Sequence, residues 1–374
     1  MDGKAVHPPE KGGIMDNDYR FTTTEEERAT RRAQRMAARR QRERERRRKM
    51  LLRLLPVLGV VVLAGAAIAW GLHRGESGEG AARAAAADPE PDQEPEPAAD
   101  PEPEPPRAVL SAADAVQLGE EIVSNNAVLI DLDEGIVLAE KNAGEVISPA
   151  SMTKILTILV AAEQITDLDA GFTMTQEITD YCYRNDCSAA GFLPGEIIPI
   201  RDLFYATILP SGADGALALA ICAAGSQEAF VELMNEKAAE LGVSQTARFA
   251  NSVGVYDENN VCTVYDMALI LRAALDNPLC REVLGQRIYA IAPSEAHPEG
   301  LELSNWFIRK IEDHMPEHIQ VTGAKTGYVT QSGNCAASVA QDSAGKRYLC
   351  VTAQAWSGWR CIFDHVALYE GYAR

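Results

Sequence analysis

Ser151 and Lys154 stand three residues apart in Ser148-Pro149-Ala150-Ser151-Met152-Thr153-Lys154, at the head of an apolar run that ends near Glu163. On a helix, residues i and i+3 share a face, so hydroxyl and amine meet. A serine hydroxyl is a poor nucleophile until a base takes its proton. A lysine amine serves as that base when burial and the positive end of the helix dipole lower its pKa. Ser148 is placed to cap the helix, and Pro149 suits its first turn. The same residues also fit the start of an ordinary amphipathic helix, so the pair gains meaning only from the rest of the chain.

Two later segments carry complementary chemistry. Leu209-Pro210-Ser211-Gly212-Ala213-Asp214 puts Ser211 on a turn of small residues before an Ala-rich helix. There it either faces a cleft or caps the helix that begins near Asp214. Ala324-Lys325-Thr326-Gly327-Tyr328 falls on an expected strand. Lys325 and Thr326 offer a fixed charge and a hydroxyl to a carboxylate, and Gly327 leaves room for an extended ligand at the strand edge. An edge strand protected by a lysine looks the same.

The elements that must position these residues follow from periodicity and turn signals. A helix is expected over 111–124. Strands are expected over 127–132 and 136–140, joined around Asp133-Glu134-Gly135 as a hairpin. Helices with loops fill about 165–290, including one over 263–275. Strands over 322–329, 335–340 and 348–353 follow, and a last helix covers 358–372. Strand pair, helices, strand triplet and helix make an α/β (α+β) chain, with one antiparallel sheet built from both ends of the sequence and a helical insertion between.

Charge divides the chain. Residues 1–53 carry 16 basic and 9 acidic side chains, residues 54–107 carry 3 and 10, and the remaining body of 108–374 holds a net −19. An acidic body argues against nucleic acid as a partner. In the basic segment 1–53, Thr24 and Glu27 form a capping-box pattern. Residues 54–72 are uncharged, long enough to span a bilayer, and preceded by Arg46-Arg47-Arg48-Lys49. That charge bias puts the N-terminus in the cytoplasm and the body outside it. Residues 73–107 read as a disordered linker whose Pro-Glu repeat, 88–106, reaches about 60 Å at ~3.1 Å per residue. Such reach suits a target away from the membrane, such as the cell wall. All eight Cys lie between Cys182 and Cys361. Cys182 with Cys187, or Cys335 with Cys350 on neighbouring strands, are candidate pairs, and buried free thiols are the alternative. No His or Cys spacing resembles a metal site.

Ser-x-x-Lys, Ser-Gly-x and Lys-Thr-Gly in this order resemble the penicillin-binding protein and serine β-lactamase superfamily, and most of all its low-molecular-mass D-alanyl-D-alanine carboxypeptidases. Ile147–Lys154 looks like that family's nucleophile segment, and Arg248–Asp257 resembles its loop before the 263–275 helix. The resemblance covers roughly 110–374. It implies a β-lactamase/transpeptidase fold: a five-stranded antiparallel sheet, flanking helices and a mostly helical subdomain, with the active site between them. It further implies a serine peptidase that removes the terminal D-alanine from peptidoglycan stem peptides. Ser151 would be the nucleophile, Lys154 its base and Ser211 the proton relay to the leaving amine. Lys325 and Thr326 would hold the substrate carboxylate. The N–H groups of Ser151 and Tyr328 would form the oxyanion hole beside Gly327. No metal or cofactor is implied, and β-lactams would acylate Ser151.

One departure stands out. The family's second motif is usually Ser-Gly-Asn, and here the third residue is Ala213, with Asp214 as the nearest polar substitute. The rival readings are a non-catalytic peptidoglycan-binding homologue, a D,D-endopeptidase or transpeptidase, and a β-lactamase. The last would need a Glu-x-x-Leu-Asn segment, which the chain lacks.

Overall fold

A computed structural model of the chain describes residues 114–373. The expectations for 1–107, including the span at 54–72 and the capping box at Thr24, lie outside these residues. The strands β1 (Val116–Gln117), β2 (Asn126–Asp131), β3 (Ile136–Lys141), β8 (Ile319–Val329), β9 (Gly333–Asp342) and β10 (Arg347–Ala355) form a sheet in the order β1-β3-β2-β10-β9-β8. The five strands from β3 to β8 pair antiparallel throughout, and β1 adds a short parallel edge on β3. The N-terminal hairpin and the C-terminal triplet therefore meet at the β2–β10 ladder, where Val128 faces Val351. Gly135 closes the hairpin at φ +68, the left-handed conformation the turn requires.

Both faces of the sheet are covered, which explains why β2 is an unbroken buried run. Alternation sorts its side chains. Val128 and Ile130 join the core beneath the helical half, whereas Ala127 and Leu129 join the core beneath the last helix, α9 (Gly358–Tyr372). The same sorting separates Cys335 from Cys350. They lie on opposite faces, and Cys350 pairs in register with Ser338. All eight thiols are unbridged, Cys182 and Cys187 included.

The helical half is built around α1 (Thr153–Gln164), buried at every position from Thr153 to Ala161. Around it lie α2 (Gln176–Arg184), α3 (Ile200–Ile208), α4 (Ala213–Ala224), α5 (Gln227–Glu240), α6 (Val264–Asp276) and α7 (Pro278–Gly285). Two short antiparallel strand pairs flank them, β4 (Gly171–Thr173) with β5 (Ile197–Pro199), and β6 (Ile288–Ile291) with β7 (Leu301–Ser304). A short helix, α8 (Trp306–Ile311), packs on the α9 side. A capping box of Thr263 and Asp266 starts α6 where the sequence places it. Among the described residues no single helix is long and apolar enough to cross a membrane.

The helix expected over 111–124 is absent from the described part of that stretch. Leu118 and Ile122 have helical spacing, but both sink into the core under α9 while β1 pairs with β3. The backbone donors of Val123 and Ser124 are taken by the buried Asp364 carboxylate of α9, at 3.0 and 2.7 Å. A side chain from the far end of the chain thus replaces the helical ladder.

The sheet and α9 also bury a titratable group. His365 sits between Ser338 Oγ at 2.7 Å and Thr352 Oγ1 at 2.9 Å, and burial pushes its pKa down to about 3. The folded protein thus refuses a proton that the unfolded chain accepts near pH 6.5. Stability from this group is fully present above that pH and falls as pH drops toward 3, by at most ~1.4 kcal/mol per pH unit. Thermal unfolding between pH 7 and 5, where few carboxylates titrate, should show Tm falling with acid. In His365→Asn that slope should be shallower, and an unchanged slope would refute the assignment.

Candidate active site

Ser151 occupies a 3-10 turn, Ala150–Met152, that runs directly into α1. The turn starts with a strained residue: Ala150 has φ +47, in the left-handed region where a β-carbon is disfavoured. Such strain persists only where the surroundings over-determine the backbone. Ser148 does not cap the helix. Pro149 precedes the turn and Met152 precedes α1, neither with a side-chain cap, and Ser148 Oγ is buried with no hydrogen-bond partner among the described residues.

Lys154 lies in the first turn of α1. Its Nζ is 3.0 Å from Ser151 Oγ and 2.6 Å from the carbonyl of Val253. Burial lowers its pKa to about 8, against opposing influences from Cys187, Cys182 and Asp214. Lys325 projects from β8, equally buried. Its Nζ donates to Ser211 Oγ at 2.8 Å and to the Thr326 carbonyl at 2.6 Å. Burial, and then the nearby charge of Lys154, holds Lys325 well below the usual lysine range. Neither lysine has an ion-pair partner among the described residues. Two desolvated amines without a counter-ion make a site that favours an incoming anion.

Ser211 faces the site and does not cap a helix. Gly212 is the N-cap of α4, while Ser211 itself adopts φ +62 and its Oγ accepts a hydrogen bond from Lys325 Nζ. Gly327 runs against the Ser151 turn. A β-carbon there would stand 3.0 Å from the Ser151 nitrogen and 3.0 Å from the Pro149 oxygen. Strand β8 therefore passes the Ser151 backbone so closely that a β-carbon at 327 would crowd it, and would also fall 2.7 Å from Cys335 Sγ. Thr326 is half-buried, and Tyr328 is exposed beyond Gly327. The three motifs thus converge: Ser151 with Lys154, Ser211 with Lys325, and Gly327 behind Ser151.

Ala213 is buried, and its N–H donates to the Ser188 carbonyl at 2.8 Å. Asp214 does not touch Lys154. Its carboxylate accepts the N–H groups of Ala190 and Gly191 at 2.9 and 3.0 Å, and so fixes the loop between α2 and β5. The Val253 carbonyl is the participant that sequence reasoning did not single out. It belongs to the Arg248–Asp257 loop, which stood out only by resemblance.

A half-buried Ser151 on a buried Lys154 at a helix start, beside a Lys-Thr-Gly strand where a sheet meets a helical half, is the arrangement of the penicillin-binding class of DD-peptidase folds. A Streptomyces DD-transpeptidase of known structure superposes with a TM-score of 0.61 at 25% identity, covering 67% of this chain and 96% of that one. A Mycobacterium tuberculosis D-alanyl-D-alanine carboxypeptidase shares the fold at a TM-score of 0.60, covering 70% of this chain and 95% of that one. The chain belongs to the D-alanyl-D-alanine carboxypeptidase family, whose model matches residues 111–356. Among curated relatives, the Bacillus subtilis carboxypeptidase DacF is 31% identical over 217 residues, 57% of this chain and 52% of its own length. The Escherichia coli carboxypeptidase DacA is 33% identical over 249 residues, 60% of this chain and 57% of its own length. The chain thus spans little more than half the length of these two relatives.

Asp214→Asn tests the loop anchor. The amide retains one acceptor oxygen but turns an NH2 against a backbone donor, which should cost about 1–3 kcal/mol. The expected result is a lower Tm and faster hydrogen exchange at Ala190 and Gly191. Loss of the acidic charge should also move the Lys154 titration below about 8. Unchanged exchange at both amides would show that the carboxylate does not hold the loop.

Proposed function

We propose that this protein is a serine-type D-alanyl-D-alanine carboxypeptidase acting on peptidoglycan stem peptides. The observation that carries the reading is the 3.0 Å contact between Ser151 Oγ and an amine whose pKa burial has brought to about 8. A sizeable fraction of such a lysine is neutral at physiological pH, which a general base requires. In the proposed reaction neutral Lys154 takes the Ser151 proton as Oγ bonds to the carbonyl carbon between the terminal D-alanines. The N–H groups of Ser151 and Tyr328 hold the oxyanion. The C–N bond breaks, the leaving amine receives its proton through Ser211, and D-alanine departs. Water then hydrolyses the ester on Ser151. Lys325 and Thr326 hold the substrate's terminal carboxylate, the anion that two buried lysines lack. β-Lactams acylate the same oxygen. Residues 54–72 anchor the chain in the membrane with its N-terminus in the cytoplasm, and the body works at the cell wall.

A second reading shares the acyl-enzyme. A Pseudomonas aeruginosa relative, 28% identical over 229 residues, is named a D-alanyl-D-alanine endopeptidase. In that reaction the leaving amine belongs to a crosslink. Comparing D-alanine release from a pentapeptide with cleavage of a crosslinked dimer separates the two.

The first test is mass spectrometry of the full-length chain after incubation with benzylpenicillin. A penicilloyl adduct should form on wild type and vanish in Ser151→Ala. The acylation rate should rise with pH through about 8, because only deprotonated Lys154 accepts the proton. A folded wild type that forms no adduct would overturn the reading and favour a peptidoglycan-binding homologue.

A further inference from the structure

The loop between α5 and α6 is buttoned to α1 at three points. The Val253 carbonyl accepts from Lys154 Nζ at 2.6 Å, the Ser252 carbonyl accepts from Thr157 Oγ1 at 2.7 Å, and Asn260 Nδ2 donates to Thr153 Oγ1 at 3.2 Å. Thr153, Lys154 and Thr157 share one face of the helix. One side chain shapes the loop at the first of these points. Asn251, itself buried, accepts the N–H of Gly254 at 2.7 Å and of Val253 at 3.3 Å, and its Nδ2 donates to the Val255 carbonyl at 3.1 Å. Every residue from 253 to 255 is thus tied to one amide.

The same turn presses on the nucleophile. Gly254 has φ +76, and a β-carbon there would fall 1.9 Å from the Ala150 carbonyl oxygen and 2.9 Å from the Ser151 nitrogen. The 253–254 turn is therefore packed against both the strained Ala150 peptide and the base.

A neutral lysine amine has two N–H bonds and one lone pair. Its reactivity toward Ser151 depends on which of these faces the hydroxyl. An acceptor on the far side engages an N–H and leaves the lone pair free to face Ser151. We propose that Asn251 is a positioning residue: its amide locks the 253–255 turn so that the Val253 carbonyl holds an N–H of Lys154 and turns the lone pair toward Ser151 Oγ. This rests on the reading of Lys154 as the base of Ser151. The other titratable groups facing Lys154 are Cys182 of α2, Cys187 beyond it, Asp214 of α4 and Lys325 of β8. None of them is part of the Asn251 loop.

Two variants of the full-length chain separate this role from a merely structural one. Asn251→Ala removes the lock. Asn251→Asp keeps acceptors for Val253 and Gly254 but introduces a carboxylate near Lys154. Acylation by a fluorescent penicillin is followed from pH 6 to 10, beside Tm and the titration of Lys154 read by NMR of ε-13C-lysine-labelled protein. In Asn251→Ala the rate should fall about 100-fold across the whole pH range, as expected of a misplaced base. In Asn251→Asp it should recover at high pH, with the profile and the Lys154 titration both displaced to the alkaline side. Equal losses in both variants with an unchanged profile, tracking the fall in Tm, would overturn the proposal. So would wild-type rates in Asn251→Ala. If wild type itself is not acylated, the carboxypeptidase reading fails separately. The NMR titration then decides this one, and an unmoved Lys154 in Asn251→Asp rejects it.

Discussion

The site depends on keeping one lysine amine out of water. An ammonium loses strong hydration when buried, so enclosure favours the neutral form and lowers the Lys154 pKa to about 8, as its proposed role of base requires. Enclosure needs walls on every side. Helix α1 supplies one by being buried along its first nine residues, which is why it lies in the core and not on the surface. The Arg248–Asp257 loop closes the far side, and α2, the loop after it and α4 approach from a third. The helical half of the molecule is in this sense the housing of a single Nζ atom, and its apolar interior sets the chemistry of that atom.

The sheet supplies the complementary part. Strand β8 brings Lys325 into the same desolvated space, and Lys154 helps to hold it below the usual lysine range. Like charges in low dielectric repel strongly, so the empty site cannot readily hold both lysines charged. An incoming carboxylate changes that balance by giving Lys325 a counter-ion. Gly327 then matters for distance: with no side chain between β8 and the Ser151 backbone, strand and nucleophile turn are in direct contact. In the proposed reaction the substrate carboxylate and the attacked carbonyl would thereby be set against one frame. Within a body of net charge −19, two lysines, Lys154 and Lys325, are thus buried close together at the site.

Much of this was legible in the sequence, for reasons that differ by element. Ser151 and Lys154 pair because helical geometry converts a spacing of three into a contact. The C-terminal strands and the helix at Gly358–Tyr372 were marked by turn signals and periodicity on either side. The stretch before Ser124 misled because Leu118 and Ile122 carry a helical spacing, while the partner that defeats the helix, Asp364, is 240 residues away from Ser124. Ser148 and Ser211 both looked like caps. Each sits beside a backbone conformation that propensity does not foresee, at Ala150 and at Ser211 itself. The proposed cysteine pair on β9 and β10 fails on register and on facing: Cys350 lies opposite Ser338, three residues from Cys335, and the two thiols point to opposite sides of the sheet. The Val253 carbonyl was invisible because a backbone oxygen carries no residue identity. Only the Asn and Gly beside it leave a trace.

That carbonyl bears on the Ala213 departure. The resemblance leads one to expect an amide from the second motif near the lysine. Here the second-motif position is apolar and buried, and the adjacent Asp214 is committed to the 190–191 loop. A carboxylate at 2.6 Å from Lys154 would have formed an ion pair and raised the lysine out of its working range. A backbone carbonyl offers a partial charge that neither titrates nor neutralises an ammonium. It orients the amine at a smaller electrostatic penalty to the neutral form. Its position is then only as good as the turn that carries it, and the left-handed Gly254 against Ala150 leaves that turn little freedom. Strain at Ala150 and close packing at Gly254 are thus two sides of one contact, which holds the Ser151 backbone and the carbonyl acceptor of Lys154 in fixed relation.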